Sequence, residues 1–346
     1  MGPAMRQVLV DSWNRRGVLA LLLWPLSVLY GAVTALRAYL YRSGLLPVHH
    51  VTVPVVVVGN VVAGGAGKTP VVMALVQHLL LRGLNVGVVS RGYARHGKDC
   101  REVLTHSLAS DVGDEPILIH RTTGVPVFVA VTRIDAARAL LTRHPEVQII
   151  VCDDGLQHYG LHRDIEICVF DERATGNGFL LPAGPLREPW PRPTDLVLCT
   201  GDVKATQGFS LRRELANDAR RADGTKVALK DLRTVSDRPG NQLWAVAGIA
   251  RPEAFFAMLR AQGLSLAHTV ALSDHAEFDG PEWSGASNPI LLCTEKDAVK
   301  LWRHRPDALA VALVLRIEPA FWEAFDKLLT ARAGAKLSSG NGHTTS

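Results

Sequence analysis

The stretch Val53–Thr69, VPVVVVGNVVAGGAGKT, constrains this chain more than any other. Val55–Val58 is a run of β-branched residues, too short and too uniformly apolar for a surface helix, and it predicts a strand buried on both faces. The glycine-rich turn Gly64-Gly65-Ala66-Gly67 follows, and Lys68-Thr69 open a periodic apolar segment, Val71–Leu81, that predicts a helix. Strand, glycine turn, Lys-Thr and helix in this order make a phosphate-binding loop. Glycines let successive backbone N–H groups turn toward phosphate oxygens, and the helix N-terminus adds partial positive charge. Lys68 reaches β- and γ-phosphates, and the Thr69 hydroxyl can ligate Mg2+. The expected nucleotide contacts are therefore Gly64, Gly65, Ala66, Gly67, Lys68 and Thr69, with ATP and Mg2+ as cofactors. Two positions depart from common patterns: Val62 replaces the first glycine of G-x-x-x-x-G-K-[ST], and Ala63 stands where ParA-like ATPases carry a second lysine.

Further strands are predicted at Val86–Val89, Pro126–Ala130, Val147–Cys152, Ile165–Phe170 and Leu196–Cys199, with a helix at Ile134–Arg143. Such alternation predicts an α/β fold of the P-loop NTPase type, a mostly parallel sheet with helices on both faces. Ligands of such sheets bind at the carboxyl ends of the strands, where Lys68, Arg91, Asp153 and Asp171 fall. Gly176–Pro193 is dense in Gly and Pro and predicts a long loop with fixed bends. Residues 201–240 look weakly structured, with a charged helical piece near Leu211–Arg221. A second α/β segment follows: strand Leu243–Ala247, helix Pro252–Gln262, strand Ile290–Cys293, helix Lys296–Trp302 and strand Val311–Ile317, then a closing helix, Pro319–Arg332. The expected division is an N-terminal membrane-associated helical segment (1–47), a P-loop domain (48–237), a smaller α/β domain with the closing helix (238–334) and a disordered tail (335–346). A chain of 346 residues is long enough for two cores.

Net charge is +5, and the first fifty residues hold most of it, with Arg6, Arg15, Arg16, Arg37 and Arg42 against Asp11 alone. Val18–Leu36 carries no charged residue and is interrupted by Pro25. After Pro25, the residues Ser27, Tyr30, Thr34, Arg37 and Tyr41 line one wetter helical face. A helix lying in the membrane interface accounts for this pattern best, ahead of a true span or an ordinary core helix. Ser43-Gly44 and Pro47 end it. A basic, apolar N-terminus points to an anionic membrane surface, and the absence of an aromatic-basic ladder argues against nucleic acid. The five cysteines form no C-x-x-C pair and read as buried free thiols in a reducing compartment rather than a zinc site.

Several residues can carry chemistry. Asp153-Asp154 end an apolar strand downstream of the phosphate loop, the Walker-B arrangement in which a carboxylate reaches Mg2+ directly or through water. Which of the two lies closer is not legible. Asp114-Glu115-Pro116 is either a helix cap or holds, in Asp114, a general base for an attacking hydroxyl. His275 in Asp274-His275 is either a surface residue or a group that tunes a carboxylate. Arg187 can neutralise transferring phosphate and Glu188 can help hold Mg2+, or the two form a solvent ion pair. Thr294-Glu295-Lys296-Asp297 reads as a capped helix start.

Taken together, VGNVVAGGAGKTP, SRGYAR, VGDEP, CDDGLQH, LLPAGPLRE, LSDHAEF and CTEKDAVK occur in the order found in the tetraacyldisaccharide 4'-kinase (lipid A 4'-kinase) family of Gram-negative bacteria, and the chain resembles that family from about Leu19 to Leu329. The resemblance implies a monomer on the cytosolic face of the inner membrane. It further implies transfer of the γ-phosphate of ATP to the 4'-hydroxyl of a tetraacylated glucosamine disaccharide 1-phosphate, making lipid IVA. The implied fold is a P-loop kinase domain hinged to a smaller α/β domain. The family's catalytic aspartate falls on Asp114 and its partner histidine on His275. Lys68 and Thr69 match its phosphate and Mg2+ positions, Asp153 and Asp154 its Walker-B pair, and Arg187 and Glu188 its Arg-Glu near the phosphates. Arg187 is the candidate for the charge that Ala63 lacks, and Arg91, Arg95 and Arg133 are candidates for the substrate's 1-phosphate. A ParA-like membrane switch ATPase, which would hydrolyse ATP and modify nothing, is the alternative.

Overall fold

The structure, a computed structural model, describes residues 12–64, 67–93, 95–200, 208–236, 242–249, 251–274, 276–278 and 289–340. The first half of the chain contains α1 (Val18–Arg42), β1 (Val55–Gly59), α2 (Lys68–Leu81), β2 (Val86–Ser90), β3 (Arg101–Glu102), α3 (Ala109–Val112), α4 (Asp114–Thr123), β4 (Val127–Val129), α5 (Arg133–Arg143), β5 (Ile149–Asp153), β6 (Ile165–Phe170) and β7 (Leu196–Thr200). The second contains β8 (Phe209–Arg220), β9 (Lys226–Ala228), α6 (Leu229–Ser236), β10 (Leu243–Ala247), α7 (Pro252–Ala261), β11 (Leu266–Ala271), β12 (Ile290–Thr294), α8 (Glu295–Leu301), β13 (Leu309–Ile317) and α9 (Pro319–Gly340).

One 13-stranded sheet runs through both halves in the order β11-β10-β12-β13-β8-β7-β6-β1-β5-β2-β4-β3, with β9 on β8. The valine run forms β1, parallel to β5 and β6 and buried along its whole length. Successive side chains of a strand point to opposite faces. Val56 and Val58 therefore meet Val72, Leu75 and Leu79 of α2 on one face, while Val55 and Val57 share the other face's core with Ala136 and Leu140 of α5. The second half repeats this plan. Ala245 and Ala247 pack with Phe255 and Phe256 of α7, and Val246 and Cys293 with Ala298 and Leu301 of α8.

The joint between the halves is β8. It runs parallel to β7 and antiparallel to β13, and Leu211 is the partner of both Thr200 and Ile317. The carboxyl ends of β7 and β13 thus meet on one row, while β12 ends at the row of Val311 and Ala219, so the two parallel sets point their carboxyl ends toward each other. These are the ends where α/β sheets bind ligands.

Four expectations change. Residues 211–221 form a strand rather than a charged helix. Their buried side chains, Leu211, Leu215 and Ala219, are spaced by four, which keeps them on one face in either structure, and pairing with β13 decides for the strand. Leu215, Ala219, Leu229 and Leu232 belong to the second half's core, so that core recruits residues upstream of the expected boundary at 237, which itself lies outside the described residues. The closing helix α9 returns to the first half, where Phe321, Phe325 and Leu329 join its core and Trp322 stacks on His78 of α2 at 4.3 Å. It also continues to Gly340, past the expected start of a disordered tail, with Lys336 Nζ 2.7 Å from Asp164; residues 341–346 lie outside the described residues. The described cysteines are free, four of them buried as expected and Cys100 exposed.

Ser27, Tyr30 and Tyr41 of the polar stripe of α1 face protein, while Arg37 is exposed. Ser27, 3% exposed, donates to Leu180 O at 2.7 Å and accepts from Ala183 N at 3.0 Å, and the Tyr30 hydroxyl donates to Arg187 O at 2.9 Å. The opposite face is bare: Val18, Leu22 and Leu29 are 76%, 72% and 63% exposed. α1 is long and apolar enough to cross a bilayer by length and composition.

Candidate active site

Three turns at the carboxyl ends of β1, β2 and β5 build the site. In the first, β1 runs into Asn60, whose Nδ2 donates to Val62 O at 2.6 Å, bending the chain into the glycine turn. The turn is clamped from the Gly/Pro loop, with Ala63 N donating to Pro185 O at 2.7 Å and Arg187 N to Val61 O at 2.7 Å. Gly67 has φ +73°, and a β-carbon there would collide with the Arg213 guanidinium arriving from β8. The Arg173 guanidinium lies near Gly64, 3.4 Å from where a β-carbon would stand. Gly65 and Ala66, both expected at the nucleotide, lie outside the described residues. Lys68 and Thr69 open α2, with Thr69 buried.

In the second, β5 ends in Asp153 and Asp154. Asp153 is buried and accepts from Ser90 Oγ at the end of β2 at 3.0 Å, while its other oxygen, Oδ1, is buried without a hydrogen-bond partner. Burial pushes its carboxyl up to about 7, and the nearby carboxylates Glu115 and Asp154 add to this. Asp154 behaves oppositely. Burial alone would raise it, but Lys68 at 3.5 Å and Arg187 at 3.2 Å hold its carboxyl below the usual range. Asp154 also has φ +47°, a strained conformation for a residue with a side chain. Beneath this turn Arg133, 2% exposed, donates from Nη2 to the backbone oxygens of Asp153 and Asp154 at 2.9 and 3.1 Å. It is a buttress rather than a surface cation waiting for substrate. Arg133, Arg91 and Arg37 also lie near the half-buried His158, and partial burial together with these cations pushes its imidazole down to about 4, so it stays neutral at physiological pH.

In the third, the SRGY and VGDEP stretches lock together. A β-carbon on Gly92 would lie 2.6 Å from Val112 O, and one on Gly113 3.1 Å from Tyr93 O. Only glycines allow this crossing, and Gly113, at φ +93°, turns the chain directly into α4. Asp114 is the first residue of α4, and Gly113 holds the cap position. It is 7% exposed and pairs with Lys300 of α8 at 3.3 Å. Its neighbour Glu115 acts on Asp153, which ties the start of α4 to the Walker-B turn.

Lys68, Asp153, Asp154 and Arg187 thus converge on one spot. Glu188 stands beside it, its carboxylate engaged by Gln157 at 2.7 Å, Tyr159 at 3.0 Å and Arg192 at 3.3 Å. His275 lies outside the described residues. Sequence reasoning missed Asn60, Ser90, Glu115, Arg213 and Lys300 as parts of the site. Ser90 and Lys300 sit in stretches that stood out in the sequence, but only spatial pairing shows what they touch. Among the described residues no three His, Cys, Asp or Glu side chains gather closely enough to cage a metal. The oxygen donors present, Thr69 and the Asp153 oxygen without a partner, suit Mg2+, which keeps several waters and takes phosphate oxygens as ligands.

Comparison with known proteins gives a consistent result. The family model for tetraacyldisaccharide-1-P 4'-kinase matches residues 19–333. The tetraacyldisaccharide 4'-kinase of Acidovorax sp. (strain JS42) is 55% identical over 332 residues, 95% of each chain. That of Polaromonas naphthalenivorans is 53% identical over 349 aligned positions, covering 99% of this chain and 100% of the other. The crystal structure of the "apo" form of LpxK from Aquifex aeolicus in complex with ATP superposes with a TM-score of 0.78 at 27% identity, over 91% of this chain and 100% of that one. With its motifs in family order and a family match along almost its whole length, the chain belongs to the tetraacyldisaccharide 4'-kinase family.

Proposed function

We propose that this enzyme moves the γ-phosphoryl group of ATP to the 4'-hydroxyl of a tetraacylated glucosamine disaccharide 1-phosphate, at the cytosolic face of the inner membrane. The observation that carries this reading is the convergence of Lys68, Asp153, Asp154 and Arg187 beside a helix that is bare and apolar on its outer side. Lys68 and the glycine-turn N–H groups hold the β- and γ-phosphates, with Gly65 and Ala66 as part of that turn. Asp153 and Thr69 would hold Mg2+, with Asp154 close behind, and Glu188 would support them through Gln157, which also donates to Asn60 O at 3.0 Å. When bound, the ion screens phosphate charge and fixes the angle of the transferring group. Arg187 supplies further positive charge, and Arg173 and Arg213 are placed against the glycines to do the same. Asp114 accepts the proton of the sugar hydroxyl as its oxygen forms the new bond to phosphorus. The bond from phosphorus to the β,γ-bridging oxygen breaks, and ADP leaves with the electron pair. His275 orients Asp114.

The lipid's acyl chains stay in the bilayer, since withdrawing them costs about 0.8 kcal/mol per CH2. The enzyme must therefore carry its nucleotide to the surface. Tyr30 and Ser27 join α1 to the loop that bears Arg187, so the membrane-facing element and the phosphate site move as one. Replacing Leu22 and Leu29 together by glutamate should shift the protein from the membrane to the soluble fraction on vesicle sedimentation. Its melting temperature should stay unchanged, because both side chains are exposed. Co-sedimentation as strong as the wild type would exclude the helix as the anchor.

The reaction itself is tested by incubating purified protein with radiolabelled ATP and the disaccharide lipid and separating the products by chromatography. Label in the lipid is the expected result. Nucleotide hydrolysis with no labelled lipid would return the switch ATPase reading.

A further inference from the structure

CTEKDAVK opens α8 in the second half of the molecule, yet nothing in the reaction above uses it. Its first part is structural. Thr294 caps the helix by accepting from Asp297 N at 3.1 Å, and the Asp297 carboxylate accepts from Gly248 N at 3.0 Å and Thr294 Oγ1 at 2.7 Å. Its last residue is different. Lys300 is 4% exposed and its ammonium projects away from its own core toward the first half, where it lies 3.3 Å from Asp114 Oδ2. Its second carboxylate, Glu277 at 2.8 Å, is 63% exposed at the side chain. Lys300 is thus bracketed by one buried and one solvated acid. Burial alone would lower its proton affinity, but Glu277 and Asp114 outweigh burial and keep it charged.

A carboxylate as buried as Asp114 pays a desolvation penalty for its charge, and burial alone would favour the protonated form, which is useless as a base. The charged groups that face it are unequal. Asp297 on α8 repels its charge, and Glu115 is the adjacent acid in the first turn of its own helix. The pair Lys296–Asp274, 3.2 Å apart, is internally compensated. Lys300 is the cation that reaches it among the ion pairs of the described residues.

We propose that Lys300 is a positioning residue for Asp114: reaching across from the second half, its ammonium aims the carboxylate at the phosphate site and holds it ionised. The inference rests on the reading of Asp114 as the base. Lys300 itself gains and loses no proton. Because the contact spans the two halves, base competence is tied to their being together. Glu277 competes for the same ammonium from the solvent side and weakens its hold on Asp114.

The test is the pH dependence of kcat/KM for the wild type, Lys300→Met, Lys300→Arg, Glu277→Gln and Asp114→Ala, with ATP affinity by calorimetry and melting temperature measured on each. An opposite charge within a few ångströms lowers a carboxyl pKa by about 1–3 units. Lys300→Met should therefore move the acid limb upward by about 1–2 pH units, a loss of roughly 10–100-fold below the limb, with ATP affinity retained and the plateau little changed. Lys300→Arg should restore the limb. Glu277→Gln, at an exposed side chain that does not threaten folding, should move the limb the other way. Equal loss at every pH in Lys300→Met, or a limb that stays put in both Lys300→Met and Glu277→Gln, overturns the proposal. If Asp114→Ala retains wild-type rates, the base reading fails instead; if Asp114 is essential and the limb does not move, only Lys300's role falls.

Discussion

Asp114→Ala is expected to lower kcat for lipid phosphorylation by about 10²–10⁴-fold, the usual contribution of a general base, while ATP binds as before. The two effects separate because Asp114 belongs to the crossed turn at the start of α4, whereas the proposed nucleotide contacts lie in the turn after β1, at the start of α2 and at the end of β5. What survives is transfer by positioning and charge neutralisation alone. The variant also strips Lys300 of one of its carboxylates. Breaking a buried pair costs about 3–5 kcal/mol when the remaining charge is stranded. Here Glu277 at 2.8 Å stays with Lys300, so the loss of stability should fall below that range. Single-turnover measurements with saturating ATP check the rate, and calorimetric titration checks binding. Wild-type transfer in this variant would remove Asp114 from the mechanism.

Asp153→Asn should abolish most activity and yet stabilise the metal-free protein. The loss, expected to be at least about 100-fold, follows from removing the charge that would face Mg2+. The gain follows from linkage. The Asp153 carboxyl is pushed up to about 7 in the fold by burial and by Glu115 and Asp154, against about 3.9 for an unfolded aspartate. Between these values the folded protein binds the extra proton, so its stability falls as pH rises from about 4 and the penalty is complete above about 7. Asparagine carries no charge at any pH and escapes this. Melting curves without Mg2+ should place Asp153→Asn above the wild type at pH 8, with the difference fading toward pH 4. Adding Mg2+ and ATP should raise the wild type far more than the variant. A variant less stable than the wild type at pH 8 would mean that the Asp153 charge is already compensated in the fold.

Much of this was legible in one dimension because it is local. The valine run could only be a strand covered on both sides, and Gly64–Thr69 could only follow it as a phosphate loop. Asp153-Asp154 were marked by their place at the end of an apolar strand. Other features escaped because their sequence signal is ambiguous. Leu211, Leu215 and Ala219 satisfy a helix and a strand equally well until β13 is present to pair with them. The stripe of Ser27, Tyr30 and Arg37 announced a polar face on α1 correctly but not what that face meets; the carbonyls of Leu180 and Arg187 take the hydroxyls, and the apolar side is left outward.

What the residues determined alone was therefore the nucleotide chemistry, the α/β class and the greasy N-terminus, since each rests on neighbours within a dozen positions. The tertiary structure decided that α9 returns to the first half, that Asp114 starts a helix instead of capping it, and that Lys300 reaches it from 186 positions away (300 less 114). Contacts of that separation depend on how β8 turns the second half of the sheet toward the first, and hydrophobic spacing along the chain carries no record of such a turn.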